Sequence, residues 1–342
     1  MATPTMQHWY VEGPREMVLV EEPIPSPAAG QVLIRVTHTA LSPGSNLHGF
    51  VNRPDVPQRS DVVYMGSGVI EAVGEGVDSA RIGERVTCTG IGHQQFGVVA
   101  AAAAHRVPEG VSMEVASLSY LAAWSVSVLH LGDYAAADGV AVVGLGLVGA
   151  SAALVANAMG ARVQGLDTLP ERLAFAEKLG LGDVADPRTI GPTRDPEGYF
   201  GTVGPDLVIE ATGSWGGVRT ALDRARDYSR IALMGMYREL PPPELGAALF
   251  ADAFSFPSKM HYQRVKIVGC GSDPDSFAEP MPRMATRASN ARWVLEQVQR
   301  GRLELDRLIT SVVPAGEVQS MLDRLVDGDR SQIGVVFDWQ GV

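Results

Sequence analysis

The stretch Gly144-Leu145-Gly146-Leu147-Val148-Gly149 has the spacing G-x-G-x-x-G and decides the fold of this chain. An apolar run, 140–143, leads into it, and an alanine-rich helical pattern, 150–159, follows it. A strand, these glycines and a helix form a dinucleotide-binding turn, because the glycines allow a tight turn and a close approach of the backbone to a pyrophosphate. The N-terminus of the helix adds free N–H groups and the positive end of its dipole. The stretch therefore predicts a dinucleotide site in a doubly wound, parallel-sheet α/β domain.

The next predicted strand, Arg162–Leu166, ends directly before a carboxylate, Asp167. A carboxylate at this position accepts hydrogen bonds from ribose hydroxyls and repels a 2′-phosphate, so we expect NAD(H) to be preferred to NADP(H). The alternative is a glycine-rich turn in some other α/β protein. Cofactor contacts are expected from the glycine turn, from the segment after Asp167 and from the ends of later strands, namely from Gly144, Gly146, Leu147, Val148, Gly149, Asp167, Thr168, Arg172, Ala211, Thr212, Gly213, Gly235, Met236, Gly269 and Cys270.

Length and composition exclude several classes of protein. The 342 residues, 46% of them hydrophobic, suffice for two domains with cores of their own. A net charge of -11 without any run of Lys or Arg argues against nucleic acid and membrane surfaces as partners. Two cysteines, Cys88 and Cys270, provide neither a disulfide framework nor a cysteine-based zinc site. The N-terminus has no export signal and no apolar run is long enough to span a bilayer, so a cytoplasmic protein is expected.

The pattern changes along the chain from strands to alternating strands and helices. The first third alternates apolar and polar residues as β-strands do, and the alanine run 101–104 is expected to end one of these strands. A helix is expected at Met113–Leu131, and from Gly139 onward strands and helices alternate. The predicted division is residues 1–115 for the first part of a catalytic domain, 116–270 for the nucleotide-binding domain and 271–342 for a return to the catalytic domain.

Four short phrases in a fixed order carry a resemblance to a known family. They read GQVLIRV at 30–36, VGEGV at 73–77, IGERV at 82–86 and IEATG at 209–213. With the glycine turn, they make the chain resemble the medium-chain dehydrogenase/reductase superfamily over nearly its whole length. The resemblance implies a GroES-like β-barrel catalytic domain, a Rossmann domain, an active site in the cleft between them, a small-molecule substrate and a homodimer.

The chain departs from this family where the zinc-dependent members hold their metal. The phrase Pro43-Gly44-Ser45-Asn46 stands where the family has a C-G-T-D type phrase, and Met65-Gly66-Ser67-Gly68 stands where it has G-H-E. Because catalytic zinc needs three protein ligands, we expect no metal and a zinc-lacking branch of the family. The phrase at 42–45 resembles an S-x-G-T-E branch, and the segments 266–270 and 273–283 are most similar to glycoside-3-dehydrogenase-like proteins. Asp273, Asp275 and Arg283 are candidate contacts to a polyol, with a solvated loop as the alternative.

Without zinc, a side chain must take the proton of the alcohol, and histidine has the best-matched ordinary pKa. His48 is the first candidate, with Ser45 as its relay, because both follow the strand that delivers the first metal ligand in zinc-dependent relatives. His93 is the second candidate, followed by Tyr64 and Lys259. The alternative for His48 and His93 is a solvated loop histidine.

These features together predict a zinc-independent, NAD-dependent alcohol dehydrogenase or ketoreductase. The substrate is expected to be a secondary alcohol of a sugar, glycoside or aminocyclitol, and this expectation rests on the resemblance alone, since one fold hosts many chemistries. Two alternatives stay open. One is an enoyl or quinone-type reductase, and the other is a non-redox cyclase or nucleotide-binding protein on the same fold.

Overall fold

The computed structural model describes residues 4–41, 43–52, 59–62, 65–190, 204–255, 258–270 and 286–341, apart from the side chain of Ser45. The chain forms two compact units. Unit 1 comprises Met1–Tyr120 with Ala291–Val342, and unit 2 comprises Leu121–Asn290. In chain order the elements are β1 (Thr5–Gly13), β2 (Glu16–Pro23), β3 (Gln31–Ala40), α1 (Pro43–Val51), β4 (Ser60–Asp61), β5 (Met65–Val73), β6 (Arg85–Thr89), β7 (Phe96–Ala100), β8 (His105–Arg106), α2 (Met113–Leu131), β9 (Gly139–Val143), α3 (Leu147–Ala158), β10 (Arg162–Leu166), α4 (Pro170–Lys178), β11 (Asp183–Ala185), β12 (Leu207–Glu210), α5 (Trp215–Arg224), β13 (Arg230–Leu233), α6 (Pro243–Phe254), β14 (Lys266–Gly269), α7 (Arg287–Gln299), β15 (Ile309–Pro314), α8 (Val318–Val326) and β16 (Gly334–Asp338).

Unit 1 is built from mainly antiparallel strands contributed by both ends of the chain. One sheet has the order β15-β16-β3-β5-β6-β8, with β7 also paired to β3, and a smaller sheet has the order β2-β1-β4. Only the pair β15–β16 is parallel among the pairs described in this unit. Phe50 and Phe337 are fully buried in its core, where C-terminal strand β16 and helix α8 pack with residues from the first third of the chain. This is the GroES-like architecture that the sequence predicts.

One local expectation for unit 1 is corrected. The alanine run does not continue strand β7, because Ala101–Ala103 forms a 3₁₀ turn that ends where the Ala104 N–H donates to the Ala101 carbonyl. The segment after β3 is helix α1, although it contains Pro43 and two glycines. Proline is well tolerated in the first turn of a helix, and the buried side chain of Phe50 anchors the last turn to the core.

Unit 2 is a six-stranded sheet of the order β11-β10-β9-β12-β13-β14, in which every described pair is parallel. Strand β9 at its centre is entirely buried, as expected of a parallel strand with both faces covered. From β9 the chain first adds β10 and β11 on one side of the sheet and then β12, β13 and β14 on the other side. The direction in which strands are added therefore reverses beside β9. The expected Rossmann domain is confirmed, and a ligand is expected at the carboxyl ends of the strands beside this reversal.

Within the described parts of the chain, none of the helices is both long enough and apolar enough to cross a lipid bilayer.

Candidate active site

The glycine turn lies between β9 and α3, as the sequence predicts. Gly144 has a φ of 91°, a left-handed conformation that favours glycine. A β-carbon at Gly149 would overlap the carbonyl oxygen of Gly144, so no larger residue fits there without moving the turn. Helix α3 begins at Leu147 after Gly146, which has no side chain to cap it, and its first N–H groups therefore remain available to an anion. These features fit a pyrophosphate.

Asp167 is held at the end of β10 by two backbone amides. Its Oδ2 accepts a hydrogen bond from the Leu145 N–H at 2.8 Å, and its Oδ1 accepts one from the Leu169 N–H at 2.9 Å. The carboxylate is half-buried, and each of its oxygens retains a further lone pair. The side chain is thus oriented beside the glycine turn and still able to accept hydrogen bonds from ribose hydroxyls. The neighbouring Thr168 is exposed.

Arg172 brings a positive charge to the same turn. It lies in the first part of α4, and a β-carbon at Gly146 would lie 2.7 Å from the guanidinium nitrogen Nη1. The guanidinium therefore lies directly against the second glycine of the motif. Because phosphate oxygens favour such a donor, this position suits a group that helps to hold a dinucleotide. The remaining residues of the turn, Leu147 and Val148, are buried and half-buried.

The later strands bring further predicted residues to the same edge of the sheet. Glu210 pairs in register with Val143 on one side and Leu233 on the other, and Leu233 pairs with Gly269. The segments after these strands touch one another, since a β-carbon at Gly213 would lie 2.8 Å from the Met236 carbonyl oxygen. The structure thus brings together the predicted cofactor residues of unit 2, namely Ala211, Thr212, Gly213, Gly235, Met236, Gly269 and Cys270. Cys270 itself is buried, which raises the pKa of its thiol to about 12.

Glu210 is a residue of this edge that the sequence analysis did not single out. It is fully buried, yet it ends a strand that is otherwise apolar. Its Oε1 accepts hydrogen bonds from the Thr212 N–H at 2.8 Å and from the Thr212 hydroxyl, and its Oε2 accepts one from the Tyr237 hydroxyl. A charged residue within an apolar strand, followed by Thr-Gly, is the signal that could have indicated it.

Ser45 and His48 both lie on helix α1 in unit 1, rather than in a loop. Residues three apart on a helix share a face, which agrees with the predicted pairing of the two. The side chain of Ser45 lies outside the described part of the structure. His48 is half-exposed, and its Nδ1 lies 3.1 Å from the Asn52 amide nitrogen, one turn further along. The imidazole is thus held by one nitrogen, and the structure does not contradict its proposed role.

His93 is not the solvated loop histidine that was its alternative. It is 2% exposed, its Nδ1 lies 2.8 Å from the Thr39 hydroxyl, and its ring packs edge-on against Phe337. Its Nε2 has no hydrogen-bond partner among the described residues. Burial lowers the pKa of His93 to about 4, against the attraction of Asp61. An imidazole this hard to protonate is a weak general base near neutral pH.

We expect the burial of His93 to make the fold sensitive to acid. Between about pH 6.5 and 4, a histidine of the unfolded chain takes up a proton that folded His93 does not. The lowered pKa therefore contributes stability above pH 6.5 that is lost as the pH falls towards 4. Urea unfolding at a series of pH values should show a steeper acid-induced loss of free energy of unfolding in the unmodified chain than in His93→Gln. Equal slopes for the two proteins would contradict the buried, neutral imidazole.

The positions that match the family's metal ligands do not present a ligand set. Pro43 is the first residue of α1 and has no donor atom for zinc. In β5, the Ser67 hydroxyl donates to the Met113 carbonyl at 2.6 Å, and a β-carbon at Gly66 would lie 2.7 Å from the His38 carbonyl oxygen. Across the described ranges, no group of three or more His, Cys, Asp or Glu side chains is placed to hold a metal ion.

The other candidates for proton transfer or substrate contact are less informative. The Lys259 ammonium donates to the Ala225 carbonyl at 3.1 Å, which gives this side chain a structural contact in unit 2. Tyr64 lies outside the described residues, as do the candidate polyol contacts Asp273, Asp275 and Arg283.

Comparison with known proteins supports the predicted family. Residues 148–286 match the family model of zinc-binding dehydrogenases. The chain is 23% identical over 341 residues to the 2-dehydro-3-deoxy-L-galactonate 5-dehydrogenase of Pseudoalteromonas atlantica, which covers 90% of this chain and 92% of that protein. It is 25% identical over 300 residues to the sorbitol dehydrogenase of Halalkalibacterium halodurans, covering 78% and 84% of the two chains.

A solved structure shares the fold over almost the whole length. It is described as the short chain alcohol dehydrogenase rspB of Escherichia coli CFT073, complexed with the cofactor NADH. The two chains superpose with a TM-score of 0.77 at 22% identity, covering 98% of this chain and 99% of that one. The glycoside-3-dehydrogenase-like branch stays a prediction. These findings show an oxidoreductase whose fold and sequence resemble those of the medium-chain dehydrogenase/reductase type.

Proposed function

We propose that this protein is an NAD(H)-dependent, zinc-independent dehydrogenase or ketoreductase of secondary alcohols. The observation that carries the choice of NAD(H) is the carboxylate of Asp167, which is fixed beside the glycine turn by the amides of Leu145 and Leu169. A 2′-phosphate at that position would meet a like charge, whereas ribose hydroxyls would find two acceptor oxygens.

The proposed substrate is a secondary alcohol on a polyhydroxylated compound, such as a sugar, glycoside or aminocyclitol. Two relatives that match most of the chain are named for sugar-acid and polyol substrates, 2-dehydro-3-deoxy-L-galactonate and sorbitol. Both kinds of compound carry secondary hydroxyl groups, whose oxidation gives a ketone, and this shared feature supports the substrate class.

The chain's own residues would divide the work between binding and proton transfer. In unit 2, the glycine turn and Arg172 would hold the pyrophosphate and Asp167 would hold a ribose. When bound, the nicotinamide would supply the acceptor for the hydride of the carbinol carbon. In unit 1, His48 takes the hydroxyl proton, with Ser45 as its relay, and gives it back in the reverse reaction. No metal is invoked, because the donor atoms at the family's ligand positions do not fit zinc.

Activity is therefore expected to survive removal of zinc. Prolonged treatment with a chelator should leave turnover unchanged. Elemental analysis of the active protein should find far less than one zinc ion per chain. The matched control is a zinc-dependent alcohol dehydrogenase treated in the same way, which should lose its activity. Stoichiometric zinc together with a loss of turnover on chelation would overturn the metal-free mechanism.

A screen of ketones and secondary alcohols tests the proposed reaction. Turnover is followed as a change in the nicotinamide absorbance, with NAD(H) and NADP(H) compared for each compound. We expect turnover with polyhydroxylated secondary alcohols and a clear preference for NAD(H). Turnover of enones or quinones alone would favour the enoyl or quinone-type reductase, and binding of NADH without turnover of any compound would favour a non-redox protein.

We further propose that the protein is a homodimer. In the described part of unit 2, strand β14 lies at an edge of the sheet and pairs with β13 on one side only. An open strand edge is a template for pairing with a second chain. Sedimentation of the purified protein as a monomer at micromolar concentration would contradict this.

A further inference from the structure

The buried carboxylate of Glu210 ties together two segments that leave neighbouring strands. Its Oε1 binds the N–H and the hydroxyl of Thr212, which follows β12, whereas its Oε2 binds the hydroxyl of Tyr237, which follows β13. The Gly213 N–H adds a longer hydrogen bond to Oε2 at 3.4 Å. One side chain thus holds both segments, although Tyr237 lies 27 residues further along the chain than Glu210.

The surroundings of this carboxylate are shaped to admit it. A β-carbon at Gly235 would lie 2.7 Å from the Glu210 Oε2, and one at Gly217 would overlap the Oε1. The amides and hydroxyls that bind the carboxylate replace the water that it loses on burial, which keeps the charged group tolerable inside the unit. The glycines on both sides therefore belong to a site built around Glu210.

Tyr237 is the donor that closes the arrangement on the β13 side. Burial and the negative charge of Glu210 both raise the pKa of Tyr237, so the phenol keeps its proton. Its ring lies 5.0 Å from that of Trp215, at the start of α5, and the indole N–H of Trp215 donates to the Glu239 carbonyl at 2.7 Å. A second contact thus joins the same two segments.

We propose that Glu210 and Tyr237 form a clamp that fixes the segments 211–213 and 235–237 relative to each other and thereby sets the affinity for the nicotinamide cofactor. The proposal rests on the proposed function, because it takes these segments to contact the cofactor. Both residues are positioning residues. Their removal leaves the donors and acceptors of the glycine turn and Asp167 in place but lets the two segments move apart.

The clamp is tested with Tyr237→Phe, Glu210→Gln and the double variant, by titrating each purified protein with NADH. Tyr237→Phe removes only a hydroxyl, so it remains informative if Glu210→Gln fails to fold. Each single variant should bind NADH roughly 10-fold more weakly, the scale for losing a hydrogen bond to a charged group. The double variant should bind NADH no more weakly than whichever single variant has the lower affinity, since both substitutions break the same hydrogen-bonded arrangement. In turnover, the KM for NADH should rise while kcat at saturating NADH stays close to its original value.

Ser229→Ala is the matched control, because it breaks buried hydrogen bonds at the amino-terminal ends of the same two strands, β12 and β13. The Ser229 hydroxyl donates to the Pro205 carbonyl at 2.6 Å and accepts from the Arg226 N–H at 2.9 Å. This variant should lower the melting temperature without weakening NADH binding. The clamp is refuted if Tyr237→Phe binds NADH as tightly as the unmodified protein, or if Ser229→Ala weakens binding equally. If the unmodified protein binds no NADH at all, the proposed function is wrong and the clamp falls with it.

Discussion

Replacing His48 by alanine is expected to lower turnover roughly 100- to 10,000-fold, the usual contribution of a general acid–base group. Without a metal to acidify the hydroxyl, the proton must pass to a side chain, and His48 shares a helix face with Ser45 on α1. Steady-state kinetics with the best substrate of the screen measures the effect. NADH affinity should stay nearly unchanged, because the binding groups lie on other residues.

Asn52→Ala is the control for His48. It removes the side chain that lies 3.1 Å from the His48 Nδ1 but leaves the imidazole in place. Turnover should therefore fall much less than in His48→Ala. Normal turnover of His48→Ala would remove His48 from the mechanism and leave His93 as the next candidate of the sequence analysis, despite the burial that lowers its pKa to about 4.

Replacing Asp167 by alanine is expected to cost about 1–3 kcal/mol of NADH binding free energy, or roughly 5- to 150-fold in Kd. The substitution removes the proposed acceptor of the ribose hydroxyls and also frees the amides of Leu145 and Leu169. Calorimetric titration with NADH and NADPH measures both affinities. NADPH should lose much less than NADH, since its 2′-phosphate no longer meets a carboxylate.

Asp167→Asn distinguishes the effect of the negative charge from that of the side chain's size. The amide has no charge but keeps one acceptor oxygen in nearly the same volume. Its ratio of NADH to NADPH affinity should lie between those of the unmodified protein and the alanine variant. Asp183→Ala is a control for loss of a nearby carboxylate, as Asp183 accepts from the Gln164 side chain at 2.6 Å on the neighbouring strand. Equal or tighter binding of NADPH by the unmodified protein would contradict the role given to Asp167.

The elements with a strong local signal are predicted well from the sequence. Helix Met113–Leu131 has the predicted bounds at both ends, and the glycine turn joins β9 to α3 as its spacing requires. In such segments, periodicity and glycine positions determine the backbone directly. The fold class follows from them, because a central buried strand flanked by helices can be covered only in a layered α/β domain.

The features that the sequence did not predict depend on contacts between residues far apart in the chain. Helix α1 has little intrinsic helical preference, since Pro43, Gly44 and Gly49 lie within it, and its burial against the core of unit 1 stabilises it. The hairpin of β1 and β2, Thr5–Pro23, also escaped prediction. The role of Glu210 was not predicted for the same reason, because its partner Tyr237 lies in the segment that follows β13. A carboxylate at the end of an apolar strand does not reveal its hydrogen-bond donors in the sequence.

Transfer of deuterium from NADH labelled at nicotinamide C4 tests whether this protein moves a hydride from the nicotinamide to the carbonyl carbon of a ketone. The zinc-depleted protein is incubated with the labelled cofactor and a ketone from the screen, and mass spectrometry locates the label in the product. We expect deuterium on the carbinol carbon of a secondary alcohol, at the rate of turnover. Deuterium on a former carbon–carbon double bond, or no transfer to any ketone by a protein that binds NADH, would contradict it.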